Sequence, residues 1–139
     1  MADDCRSHDF DWVTALQECS VGVEFVRLSR MVRRNVETRQ KALKGRVMEV
    51  RYESNDTDFS VSYALGMGVP CAIGFELEKD RIVVRDGLSG KVKHSLTLTL
   101  NDEGECRYQL DGEPKELLMW QVARRILEPL FFPFDGRNE

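Results

Sequence analysis

Cys71 and His94 are the one pair in this sequence that could act as a nucleophile and its base. Thiolate chemistry needs an imidazole within hydrogen-bond reach and a third group to orient it. Strand alternation puts both residues on the apolar face of a sheet, where cysteine is usually inert and histidine usually a satisfied core residue, and no orienting group is marked. No catalytic residue is therefore assigned. Metal chemistry is equally unsupported: His8 and His94 lie far apart, and there is no C-x-x-C, H-x-x-x-H or EF-hand spacing. Asp3, Asp4, Asp9, Asp11 and His8 read as a frayed terminus that caps a first helix. Gly66-Met67-Gly68-Val69-Pro70 lacks the helix that a phosphate cradle needs after its glycines and reads as a connection between hairpins. Neither metal nor cofactor is expected.

Binding chemistry leaves a clearer trace. Between Arg27 and Arg51 stand nine Lys or Arg and two acids, so this segment carries +7 within a chain of net charge -4, and the remainder carries -11. At 100° per residue, Arg27, Arg30, Arg33, Arg34, Lys41 and Lys44 share an arc of about 120°. Val21, Phe25, Leu28, Val32, Val36 and Leu43 share a separate arc of about 80°. The basic arc could follow phosphates, but it carries no aromatic ring for stacking and the rest of the chain is acidic. Its expected partners are solvent, acids of this chain, or an acidic protein surface, rather than nucleic acid. Arg39 falls inside the apolar arc near the helix end, where its head can snorkel outward. The alternative is a cation that anchors a ligand in an apolar pocket between sheet and helices, with Tyr52, Tyr63, His94 and Tyr108 as further polar anchors.

The elements that must position these groups follow from periodicity. Trp12 to Cys19 reads as a short capped helix, and Val21 to about Leu43 as a long amphipathic one. The period then changes from 3.6 to 2: Met48/Val50/Tyr52, Phe59/Val61/Tyr63/Leu65, Cys71/Ile73/Phe75/Leu77, Ile82/Val84, Val92–Leu100 and Glu105–Leu110. Short turns between them indicate an antiparallel meander of about six strands with one apolar face. A last helix is expected from Pro114 to Glu128, stopped by Pro129. The fold class is α+β, two layers in the order α-α-β6-α with helices on one face, and residues 1–139 form one domain. Residues 1–8 are expected to fray, and 129–139 form an apolar tail. In element order alone the pattern resembles small secretion chaperones and helix-grip ligand carriers. It departs from the first in lacking a helix between strands and from the second in lacking an initial strand.

The last helix carries more apolar residues than one sheet-facing stripe requires. Trp120, Leu130, Phe131, Phe132 and Phe134 are the strongest partner signal, because large aromatic side chains concentrate at interface cores. The leading expectation is a non-enzymatic, chaperone-like interaction protein, homodimeric, that binds a protein through its C-terminal helix and tail. The alternative is a small-molecule binding protein built on the apolar pocket. Asp3 and Asp4 with no apolar run behind them indicate no export signal, and no stretch reads as a membrane span. A cytoplasmic chain with Cys5, Cys19, Cys71 and Cys106 reduced is expected, so Asn55-Asp56-Thr57 is not read as a glycosylation site.

Overall fold

A computed structural model describes residues 9–44, 48–65 and 68–132. Helix α1, Trp12–Glu18, begins where the Asp11 carboxylate accepts from the Thr14 amide at 3.0 Å and from its hydroxyl at 2.7 Å. Helix α2, Val21–Ala42, is capped by the Ser20 hydroxyl, which accepts from the Val23 amide at 3.3 Å. Its 22 residues extend about 33 Å. Six antiparallel strands follow: β1 (Met48–Ser54), β2 (Asp58–Leu65), β3 (Gly68–Leu77), β4 (Ile82–Asp86), β5 (Val92–Leu100) and β6 (Cys106–Leu110). Each pairs with its neighbour in chain order, as short turns require. Helix α3, Met119–Phe131, is the last element among the described residues. The fold is α+β, an open antiparallel sheet covered on one face by helices, as the period change predicts.

The two sheet edges both reach α2. From β1, Tyr52 hydrogen-bonds Ser29, and the Val50 carbonyl accepts from the Gln40 side chain at 2.7 Å. From β6, the Tyr108 hydroxyl donates to the Glu24 carboxylate at 3.1 Å. Five spacings separate the outer strands of a flat sheet, about 24 Å. Glu24 and Ser29 lie only about 7.5 Å apart along the helix. Curvature of the sheet and the length of the two tyrosines make up the difference. Leu28, Val32 and Val36 of α2 are buried in the resulting concavity, each contributing about 1.5–3 kcal/mol of apolar burial. Phe59 stacks on Phe75 with centroids 4.5 Å apart and meets Phe25 at 5.2 Å, so rings occupy the middle of the concave face.

Three expectations need correction. The last helix does not begin at Pro114. Positive φ at Asp111 and Gly112 turns the chain back on itself, and Leu117 pairs with β6. The Leu117 amide donates to the Tyr108 carbonyl at 2.8 Å and the Tyr108 amide to the Leu117 carbonyl at 2.9 Å. Pairing satisfies two edge groups that a helical first turn would leave open, and it buries Leu117. Nor does Pro129 stop the helix. It lacks a donor for the Arg125 carbonyl, but the Phe132 amide regains the Glu128 carbonyl at 2.9 Å, and Leu130 and Phe131 are buried. Finally, Gly68, Val69 and Pro70 belong to β3 rather than to a loop; Gly66 and Met67 lie outside the described residues.

The cysteines are also not all reduced. Cys19 and Cys106 form a disulfide, with Cα atoms 5.4 Å apart, because the start of α2 lies beside the start of β6. Cys71 is a free, exposed thiol, and Cys5 lies outside the described residues. Phe10 rests on the β5–β6 turn, where Gly104 has φ +78° and any Cβ would meet the Phe10 ring at 2.4 Å. Glycine is required there on both counts.

Candidate functional site

The seam between the C-terminal half of α2 and α3 opens outward as a groove of about 530 Å3. Asn35, Thr38 and Ala42 line the α2 wall, and Trp120, Ala123, Leu127 and Phe131 the α3 wall. The small side chains of Ala42 and Ala123 keep the seam open, while Leu127 and Phe131 also face the core. Trp120 stands at the groove 51% exposed, and Leu118 beside it is exposed as well. These two are the uncovered part of the apolar surplus of α3. Leu130 and Phe131 complete the chain's own core, and Phe132 is half-buried. Phe134 lies outside the described residues.

Arg39 closes one end of the groove. Its Nε donates to the Phe131 carbonyl at 3.0 Å, and its guanidinium lies 4.2 Å from the centroid of the Phe132 ring. An arginine at this place occupies one of the open carbonyls that end α3 and favours the negative end of that helix.

On the basic face of α2, Arg27 pairs with Glu24 at 2.9 Å and Arg33 with Glu37 at 3.5 Å. Arg30, Arg34, Lys41 and Lys44 are exposed and have no ion pair among the described residues. The charged residues in the groove lining are Arg39, Arg124 and Glu128, the last two paired at 3.3 Å. Arg34 and Lys41 lie one turn to either side of Thr38 on α2, outside that lining.

The five proposed pocket residues are not gathered at one point. Tyr52 bonds Ser29 at the β1 edge. Tyr63 is buried opposite Cys71, and Arg39 is near enough for its charge to be felt there. Burial, then Cys71, push the Tyr63 phenol up, and Arg39 opposes them. His94 is half-buried, with Nδ1 2.8 Å from Asp111. Burial raises the Asp111 carboxyl, but His94 and the Ser95 amide outweigh it and hold it below the ordinary 3.8. Tyr108 is buried against Glu24. Cys71 and His94 are also apart. Phe75 aligns with Val84 and Val84 with His94, while Cys71 lies four residues further along β3. That register separates them by roughly 15 Å.

Sequence reasoning missed two features. Glu24 is 5% exposed, held by Tyr108 and Arg27; an acid in the first turn of a helix reads as a dipole partner, and nothing local marks it as buried. Helix α1 buries none of its residues, with Trp12 60% exposed and Val13 and Leu16 about half exposed. The sequence marks this segment only as a short capped helix and does not show that its three large apolar side chains stay uncovered. Among the described residues, no group of three His, Cys, Asp or Glu could hold a metal, and no helix is long and apolar enough to cross a membrane.

Comparison with family models, with curated proteins and with solved structures gives no match to this chain.

Proposed function

We propose that this chain is a non-enzymatic interaction protein that takes an apolar, acidic protein segment into the groove between α2 and α3. The observation that carries this reading is a half-exposed tryptophan on an open seam lined mostly by apolar side chains, with two arginines, Arg39 and Arg124, against one acid, Glu128, in its lining. Arg34 and Lys41, which have no ion pair among the described residues, lie one turn from Thr38. Trp120 supplies the kind of rigid aromatic anchor on which binding energy concentrates. Arg34 and Lys41 favour carboxylates at the rim and repel basic segments. The chaperone-like role and the homodimer are forms of this reading that differ in the occupant. The Cys19–Cys106 bond favours a compartment that tolerates oxidised thiols over the reducing cytoplasm inferred from the N-terminus.

Trp120 fluorescence tests the groove, read as the difference from the Trp120→Phe protein because Trp12 also emits. The full chain is titrated with a helical peptide bearing a Leu/Phe stripe flanked by glutamates, and with its lysine counterpart. Preferential binding of the acidic peptide is expected, weakened by salt and by Arg34→Glu with Lys41→Glu. Equal binding of both peptides, or of neither at a concentration where the chain is monomeric, sinks the reading.

A further inference from the structure

The chain itself carries a segment with the chemistry that the groove asks for. From Asp9 to Glu18 there are three acids, no Lys or Arg, and four large apolar side chains: Phe10, Trp12, Val13 and Leu16. All four are about half exposed or more, and α1 buries nothing in its own core. We infer that the groove between α2 and α3 receives helix α1 of a second copy of this chain, reciprocally, so that the protein is a two-fold dimer. This inference rests on the groove reading above and names its occupant.

Geometry excludes the groove of the same chain. The disulfide fixes the end of α1 at the start of β6, and Phe10 against Gly104 aims the helix toward the β5–β6 turn. The α3 end of the groove lies the other way, beyond Tyr108 and Leu117. Along α2, Cys19 and Asn35 are sixteen residues apart, about 24 Å, whereas the seven residues of α1 extend about 10 Å. The helix therefore cannot reach its own groove without leaving the position it is held in.

In trans the same geometry is favourable. Donor helix and acceptor groove lie toward opposite ends of α2, so one two-fold operation brings each α1 to the other copy's groove and closes the assembly. Trp12 and Leu16, at i and i+4, form a stripe that meets Trp120 and the alanine-lined seam. Asp9, Asp11 and Glu18 then approach a groove whose lining holds Arg39 and Arg124 against Glu128, with Arg34 and Lys41 one turn from Thr38 on the same helix. Covering both helices and both grooves removes on the order of 1,000 Å2 from water, the size at which specific interfaces begin. The disulfide adds to this by holding α1 in one orientation before association, which lowers the ordering cost.

Sedimentation equilibrium of the full oxidised chain tests the inference. Trp12→Ser with Leu16→Ser alters only exposed α1 positions, and Thr38→Glu places a like charge on the exposed groove wall; circular dichroism and the melting midpoint check that both variants fold. The wild type is expected to dimerise, and each variant to raise the dimer Kd by about 100-fold or more. An equimolar mixture of the two variants keeps one intact α1–groove contact, so it is expected to associate more tightly than either alone. A monomeric wild type, or a Trp12/Leu16 variant that dimerises unchanged, overturns the inference. If Thr38→Glu dissociates a dimer that the Trp12/Leu16 variant leaves intact, the groove reading survives and α1 as its occupant does not. If Thr38→Glu has no effect and the acidic peptide does not bind either, the groove reading itself fails.

Discussion

Replacing Cys106 with serine, or reducing its bond to Cys19, opens a covalent loop spanning 87 residues of sequence. The folded state keeps the two positions together without the bond. Ser20 caps α2 immediately after Cys19, and Tyr108, two residues past Cys106, donates to Glu24 at 3.1 Å. The effect therefore falls on the unfolded chain, which regains the conformations that the closed loop forbids. Loop-closure entropy for a loop of this length is worth about 4–5 kcal/mol. A domain of this size has about 5–15 kcal/mol in all, so the change is a large fraction of it. With an unfolding entropy of roughly 0.3 kcal/mol/K for a chain of 139 residues, the melting midpoint should fall by about 15 °C. In urea, at roughly 2 kcal/mol/M, the midpoint should move by about 2 M. Cys19→Ser, Cys106→Ser and reduced wild type should unfold together, and the double variant should lose nothing further. Thiol titration of the unfolded, unreduced chain should find two fewer thiols than after reduction. Identical unfolding midpoints with and without reductant, or equal thiol counts, would refute the reasoning.

Tyr108→Phe removes the hydroxyl from the buried Glu24 carboxylate and leaves Arg27 as its remaining partner. A loss of about 1–3 kcal/mol is expected from urea unfolding, with a coupling of at least about 0.5 kcal/mol in the cycle with Glu24→Gln. Burial, then the nearby Glu24, hold the Tyr108 phenol far above its ordinary 10.0, and burial raises Tyr63 as well. Both shifts favour the protonated form in the folded state. Their contribution is whole below pH 10 and declines as pH rises beyond it, so unfolding free energy should drop from pH 10 upward and less steeply in Tyr108→Phe. Arg39→Met keeps the apolar stem but loses the Phe131 carbonyl and the Phe132 ring. About 1–2 kcal/mol should be lost, with faster amide exchange confined to the last turn of α3.

The sheet was legible because its alternation is nearly unbroken. Phe59, Val61 and Tyr63 on one strand and Ile73 and Phe75 on the next announce both the strands and the buried face, and short turns leave the meander as the simple topology. The α2 wheel was legible for the same reason: Phe25, Leu28, Val32 and Val36 are all buried. What the sequence hid depends on distant pairings. Leu117 looks like the start of an amphipathic helix until the edge of β6 offers it two hydrogen bonds. Cys19 and Cys106 carry no local signal, since a disulfide between distant positions is visible only once the chain has returned on itself. Glu24 is buried by a tyrosine 84 residues away. The groove is a property of two helices and their separation, so Thr38, Ala42 and Ala123 acquire meaning only as a pair of walls.

The charge split of the sequence takes on a more definite form in the fold. The sheet and α3 neutralise their own arginines: Arg51 with Glu49, Arg81 with Asp80, Arg85 with Glu76, Arg107 with Glu105, and Arg124 with Glu128. These exposed pairs add little stability, but they consume carboxylates close to where they lie. Helix α2 has only Glu24 and Glu37 within its own length, and these go to Arg27 and Arg33. Arg30 and Arg34 are consequently the two described arginines with neither a carboxylate nor a backbone partner, and Lys41 and Lys44 continue the stripe. Of the partners expected for the basic face, acids of this chain take Arg27 and Arg33, two of its six cations. A solvated stripe alone would explain the remainder anywhere on the surface. Here two of the stripe residues, Arg34 and Lys41, stand one turn from Thr38 in the wall of the seam that holds the half-exposed Trp120, and the acidic, apolar α1 lies uncovered on the same molecule. Surface charge beside water is unremarkable; surface charge beside uncovered apolar area has a complement to find, and this chain displays one.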